Sequence, residues 1–111
     1  MRINEQRQGA ISVLKPDGAL TSTDADDLSA NVLRAMTSSL GRVVLDLSTV
    51  PFIDSHGLEV LLDLTEAASK GGRALKLCGL NKTLREVLEL TDLVSQFEHF
   101  DDTHSAARSF L

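Results

Sequence analysis

Arg42-Val43-Val44-Leu45-Asp46-Leu47-Ser48-Thr49-Val50-Pro51-Phe52-Ile53-Asp54-Ser55-His56-Gly57-Leu58-Glu59-Val60-Leu61-Leu62 is the stretch whose reading decides the fold. The run from Val43 to Leu47 is short, apolar and rich in β-branched residues, which predicts a core strand. Leu58, Leu61, Leu62 and Thr65 then recur at helical spacing. The segment between them delivers Ser55 to a strand-to-helix junction. A helix start carries unsatisfied backbone N–H groups and the positive end of the helix dipole, so an anionic group on Ser55, phosphate above all, is favourably placed there. Ser55 also suits the plainer role of helix N-cap, which serine often fills.

Working outward, apolar strand-like runs alternate with helix-like periodicity, which argues for an α/β layer arrangement. Ala10 to Leu14 reads as a strand closed by Pro16-Asp17-Gly18. Thr23, with Asp26 three residues on, approximates a capping box that opens a helix to about Ser38, with Leu28, Val32, Leu33 and Met36 as its buried stripe. Lys70-Gly71-Gly72 is a helix stop. Ala74 to Leu80 is a further strand, and Asn81 can cap a third helix with Leu84, Val87 and Leu88 on its apolar face. Phe97 to Phe100 suits a last short strand before a terminal helix around Ser105 to Leu111.

Composition narrows the function classes. With 111 residues the chain is expected to be one domain, 1–111, large enough to bury roughly two-thirds of its unfolded surface. The net charge is −5, no basic cluster occurs, and Trp and Tyr are absent. Nucleic-acid binding therefore lacks both its electrostatic and its aromatic requirements. No apolar run approaches the ~20 residues that span a bilayer, and Met1 to Gln6 lacks the apolar core of a signal peptide, so a cytoplasmic location is expected. The single Cys78, in an apolar run, reads as a reduced core thiol. His99 and His104 show no metal-ligand pattern, and neither a metal nor a cofactor is expected.

Asp54-Ser55-His56-Gly57-Leu58, preceded by Val43 to Ile53, resembles the signature of the STAS domain in bacterial anti-sigma-factor antagonists. In that family a hydrophobic strand ends in Asp-Leu/Phe-Ser and is followed by Phe-Ile/Met-Asp-Ser-x-Gly-Leu. Gly18-Ala19-Leu20 is similar to the family's Gly-Glu-Leu-Asp turn, Ala74 to Leu80 to its fourth main strand, and Leu84 to Leu93 to its short helix with a Leu-x-x-Thr/Ser-x-Leu ending. The resemblance implies a STAS-like α/β domain, a mixed β-sheet of four to five strands with about four α-helices mainly on one face. It departs from the pattern at Ala19 and Thr21, where the family carries acidic residues, and at Glu59, where it commonly carries a small one.

The resemblance further implies a non-enzymatic anti-sigma-factor antagonist. Unphosphorylated, such a protein binds an anti-sigma factor that is also a serine kinase and so frees the sigma factor; phosphorylation of Ser55 ends the binding, and a PP2C-type phosphatase resets it. The implied partner-binding residues are Gly18, Leu20, Thr21 and Thr23 in the turn, and Asp54, Ser55, His56, Gly57 and Glu59 at the helix start. Asp54 reads as a structural cap or turn residue supporting recognition. His56 reads as an exposed first-turn residue that can also tune the site as a partial cation. Gly57 lets the helix start pack closely on a neighbour or leaves the serine accessible. The rival reading is a constitutive docking subunit of a transporter or stress-sensing assembly, because fold does not fix function. Asp54-Ser55-His56 also holds the residue types of a serine hydrolase, but consecutive side chains diverge and Ile53 stands where a nucleophile elbow needs glycine.

Overall fold

The computed structural model describes residues 1–38 and 41–111. The chain opens with a hairpin, β1 (Arg2–Gln8) and β2 (Ile11–Asp17), antiparallel with Gln8 opposite Ile11. Gly9 takes φ 64° at the first central position of the two-residue turn, a conformation that matches strand twist and that glycine adopts without strain. β1 escapes a reading by periodicity because its sequence, RINEQRQ, is polar and almost wholly exposed, so it is held by main-chain pairing rather than by a buried face. β2 runs on through Pro16 to Asp17 instead of closing at Leu14. Proline is tolerated there because the parallel pairing of β2 with its other neighbour covers only Ser12 to Leu14.

Helix α1 (Ser22–Ser38) follows, then β3 (Arg42–Asp46), α2 (Ser55–Lys70), β4 (Ala74–Cys78), α3 (Lys82–Leu90), a 3-10 turn at Val94–Gln96, β5 (Glu98–Phe100) and α4 (Thr103–Arg108). The sheet order is β1-β2-β3-β4-β5, with β2 through β5 parallel, which makes a mixed five-stranded sheet. Side chains alternate across it. Leu14, Val43, Leu45, Leu75 and Leu77 face a core shared with Leu28 of α1, Leu61 and Leu64 of α2, and Leu84 and Leu88 of α3. Val13, Val44 and Cys78 face the other way, against Ala106 of α4 and flanking Phe100 and Phe110. Three helices thus cover one face and one short helix the other. Among the described residues no helix is long and apolar enough to cross a membrane.

Several local expectations are corrected. Leu33 is 46% exposed, because the buried stripe of α1 follows Ala25, Leu28, Val32, Ala35 and Met36 and leaves Leu33 about 100° to one side. The Thr23–Asp26 box does not open α1: the helix begins at Ser22, the Thr21 carbonyl accepts from the amides of Asp24 (3.0 Å) and Ala25 (3.4 Å), and Thr23 lies exposed inside the first turn. The terminal helix starts two residues earlier than Ser105, capped by Asp102, whose carboxylate accepts from the Ser105 amide at 2.7 Å. Asn81 does cap α3, accepting from the Leu84 amide at 2.8 Å. Its side-chain amide also donates to the Val50 carbonyl at 2.9 Å, which ties α3 to the loop before α2.

Candidate functional site

The loop from Leu47 to Asp54 and the turn from Gly18 to Thr21 are sewn together by main-chain bonds. The Gly18 amide donates to the Thr49 carbonyl (3.1 Å), the Leu20 amide to the Phe52 carbonyl (3.1 Å), and the Asp54 amide to the Leu20 carbonyl (3.2 Å). The Thr49 hydroxyl adds a bond to the Pro16 carbonyl at 2.8 Å. Leu20 and Ile53 form an isolated parallel bridge with both side chains buried. Two segments more than 30 residues apart therefore meet as one surface, which brings Gly18, Leu20 and Thr21 beside the first turn of α2. Of these, Leu20 is buried and acts as the fastener, while Gly18 and Thr21 are half-buried and Thr23 is exposed.

Within the first turn each side chain has a distinct place. Asp54, not Ser55, is the N-cap of α2: its backbone is extended (φ −92°, ψ −178°) and its Oδ1 accepts from the Gly57 amide at 2.8 Å. The alternative of Ser55 as the cap is thereby overturned, since Asp54 fills that position and Ser55 stands one residue inside the helix, exposed. Gly57 is buried against the Gly18–Thr21 turn; a Cβ there would stand 2.6 Å from Ile53 Cγ1 and closer still to the Leu20 carbonyl oxygen. Glu59 points outward and is exposed.

His56 does more than sit on the surface. Its Nε2 lies 2.9 Å from Asp26 Oδ1 on α1, linking the two helices beside Ser55. The Asp26 hydrogen bond and charge, with smaller contributions from Asp54 and Glu59, raise the imidazole above its usual pKa. With the folded value raised, the pair's stabilising contribution is present below the unfolded pKa and fades as pH rises through the folded one. Exposure keeps that contribution small. The expected result of a proton NMR titration is a higher His56 pKa in the wild type than in Asp26→Asn; equal values in the two proteins would remove Asp26 as the cause. The His56 ring reaches α1 and the Asp54 carboxylate turns into its own helix, so the three contiguous side chains do not assemble a hydrolytic triad.

Two surface residues of this region were not legible in advance as parts of it. Phe52 is 51% exposed immediately before the motif, a large apolar side chain at the rim of the site. Its signal lay in the phase of the loop, with Val50 and Ile53 buried and Pro51 and Phe52 turned out. Asp26 carried no such signal, because its meeting with His56 depends on how α1 packs on α2. On the opposite face Cys78 is buried, as expected. Burial pushes its thiol up to about 11, against a lowering by the Thr103 hydroxyl at 3.7 Å, so the neutral, unreactive form prevails.

Comparison with known proteins places this geometry. The STAS domain profile matches residues 2–107. A protein of Bordetella bronchiseptica (strain RB50), BtrV, described as a candidate anti-sigma factor antagonist, is 32% identical over 93 residues, which cover 84% of this chain and 80% of that protein. Among solved structures, the candidate anti-sigma factor antagonist of Thermotoga maritima superposes with a TM-score of 0.87 at 23% identity, covering 96% of this chain and 92% of that one. The Bacillus cell fate determinant SpoIIAA, in its phosphorylated form, gives 0.72 at 14% identity, covering 97% of this chain and 99% of that one. The chain belongs to the STAS domain family, whose fold the solved structures share, and by sequence it groups with an anti-sigma factor antagonist of that family.

Proposed function

We propose that this protein is a non-catalytic, cytoplasmic anti-sigma-factor antagonist that works by partner switching. Unmodified, it binds an anti-sigma factor that doubles as a serine kinase, through the surface made by the Gly18–Thr23 turn and the first turn of α2. Phosphorylation of Ser55 ends the binding and a phosphatase of the PP2C type restores it. The observation that carries the reading is the division of labour at the start of α2: Asp54 does the capping, which leaves Ser55 exposed and relieved of that structural duty. The names of the Bordetella and Thermotoga relatives and the phosphorylated form of SpoIIAA support the same reading.

The physics of the switch is local. A phosphate adds about −1.5 to −2 charges at neutral pH. Here it would join a surface that already holds Asp26, Asp54 and Glu59, with the His56 imidazole in the same turn. The Asp54 carboxylate already occupies the Gly57 amide, so a phosphate on the exposed Ser55 would not compete for that bond and would add its charge to the surface. Like-charge repulsion and desolvation then separate the partners without refolding.

Incubation with the cognate anti-sigma factor and ATP tests this. A complex should form before ATP is added and dissociate afterwards, with phosphate mapped to Ser55. In the unphosphorylated complex, amide shift changes should cluster at Gly18 to Thr23 and Ser55 to Glu59. Phosphate on Ser48, Thr49 or Thr65 with Ser55 unmodified, or shifts confined to α4, would overturn the assignment.

A further inference from the structure

The outer edge of β1 carries information that the switch does not use. β1 is a terminal strand of the sheet, seven residues long, without proline. Its hydrogen-bonding phase follows from the hairpin: the pair that closes a two-residue turn, Gln8 and Ile11, exchanges main-chain bonds, and bonded and non-bonded pairs then alternate. Gln8, Gln6 and Asn4 therefore bond to β2, while the N–H and C=O groups of Arg7, Glu5 and Ile3 turn outward. Pro16 agrees with this phase, standing opposite Ile3 in a non-bonded pair where its missing N–H costs the hairpin nothing. The Glu5 and Arg7 side chains lie on the α1 side: Arg34 donates to Glu5 Oε1 at 2.9 Å and Arg7 donates to the Ser38 carbonyl at 2.7 Å.

Phase and charge together restrict what can add to this edge. A second β1 can pair antiparallel only with outward residues opposite outward residues. Glu5 opposite Glu5 or Arg7 opposite Arg7 sets like charges against each other, and Ile3 opposite Glu5 sets an apolar side chain against a carboxylate. Glu5 opposite Arg7, with the two-fold axis at Gln6, places opposite charges together twice and Asn4 opposite Gln8 on the other face. Opposite charges directly across a strand pair stabilise it and like charges destabilise it. α1 packs over β2 and β3 and meets β1 through the side chains of Glu5 and Arg7, and among the described residues β2 is the strand that pairs with β1, which stands at the edge of the sheet.

We propose that the protein self-associates through β1, antiparallel, with Glu5 of one protomer against Arg7 of the other, so that one sheet runs through both copies. Charged residues on an edge strand ordinarily keep unrelated strands away. Here the same charges select one register and one partner, a second copy of this chain. Two bonded pairs supply about four main-chain hydrogen bonds, so the dimer is weak and forms at high concentration.

Charge exchange tests the register. Sedimentation equilibrium of the wild-type protein should show a concentration-dependent monomer–dimer equilibrium. Arg7→Glu sets Glu against Glu and Glu5→Arg sets Arg against Arg, and each should weaken self-association roughly tenfold or more. An equimolar mixture of the two variants restores both opposite-charge pairs and should dimerise at least as well as wild type. Glu5→Gln, which keeps the size and removes the charge, gives a smaller loss in the same direction and serves if Glu5→Arg unfolds beside Arg34. A wild-type protein that stays monomeric across the range, a dimer that the single variants leave intact, or a mixture no better than its components would each overturn the proposal.

Discussion

Ser55→Asp should lose at least tenfold in affinity for the anti-sigma partner, about 1.4 kcal/mol, while Ser55→Ala binds within a factor of about two of wild type. The contrast is interpretable because neither change should unsettle the fold. Ser55 is exposed and the cap is Asp54, so Ser55→Ala leaves the bond to the Gly57 amide intact. Ser55→Asp places a carboxylate in the first turn, where the helix dipole favours it by about 0.3 to 1 kcal/mol. Asp26, Asp54 and Glu59 nearby oppose that gain at the surface. On the proposed function, the charge that the helix tolerates is the charge the interface does not, because binding would strip its water and press it against a partner docked on the Gly18–Thr23 turn and the start of α2. Calorimetry on folded protein checks the pair. Equal affinities for the two variants would favour a constitutive docking subunit, in which Ser55 is a surface residue without a switching role.

The parts of this molecule that the sequence made legible are those where a local pattern and its tertiary consequence coincide. Val43, Val44 and Leu45 are buried on both faces of a central strand, which is why they read as a continuous apolar run rather than an alternating one. Asn81 caps α3 because an asparagine before a periodic stretch has an orphan amide within reach. The failures have an equally physical origin. β1 buries almost no side chain, so nothing in its composition distinguishes it from a loop. Thr23 and Asp26 have the spacing of a capping box, yet the first helical bonds are accepted by the Thr21 carbonyl, two residues earlier, immediately after the bridge between Leu20 and Ile53 and with Ser22 at φ 46°. The same bridge decides the site. Asp54-Ser55-His56 announces a helix start with a polar residue to spare, but which residue caps, which is exposed and which reaches a neighbouring helix depends on contacts from more than 25 residues away. The Asp26 partner of His56 is such a contact.

Gly57→Ala should be the most damaging small substitution in the site, lowering stability by about 1 to 3 kcal/mol and weakening partner binding as well. Helix propensity alone points the other way, since alanine is favoured over glycine in a helix by about 1 kcal/mol. Packing should win because of what the new methyl would meet. Ile53 Cγ1, at 2.6 Å from the ideal Cβ, belongs to a side chain with rotamers available to it, but the Leu20 carbonyl oxygen, closer still, is backbone. That oxygen cannot retreat freely: it accepts from the Asp54 amide, and the Leu20 amide is bonded to the Phe52 carbonyl. Relief therefore requires the whole first turn of α2 to move off the Gly18–Thr21 turn, which stretches both bonds and opens the buried contact of Leu20 with Ile53. Those are the two segments whose juxtaposition makes the proposed docking surface, so affinity should fall even for molecules that remain folded. Urea denaturation should show a lower midpoint with an unchanged slope, the sign of a native-state change rather than an altered unfolded chain. A Gly57→Ala protein as stable as wild type would mean that the helix start slides aside at little cost, and the close approach of α2 to Leu20 would then not be the constraint that holds this surface together.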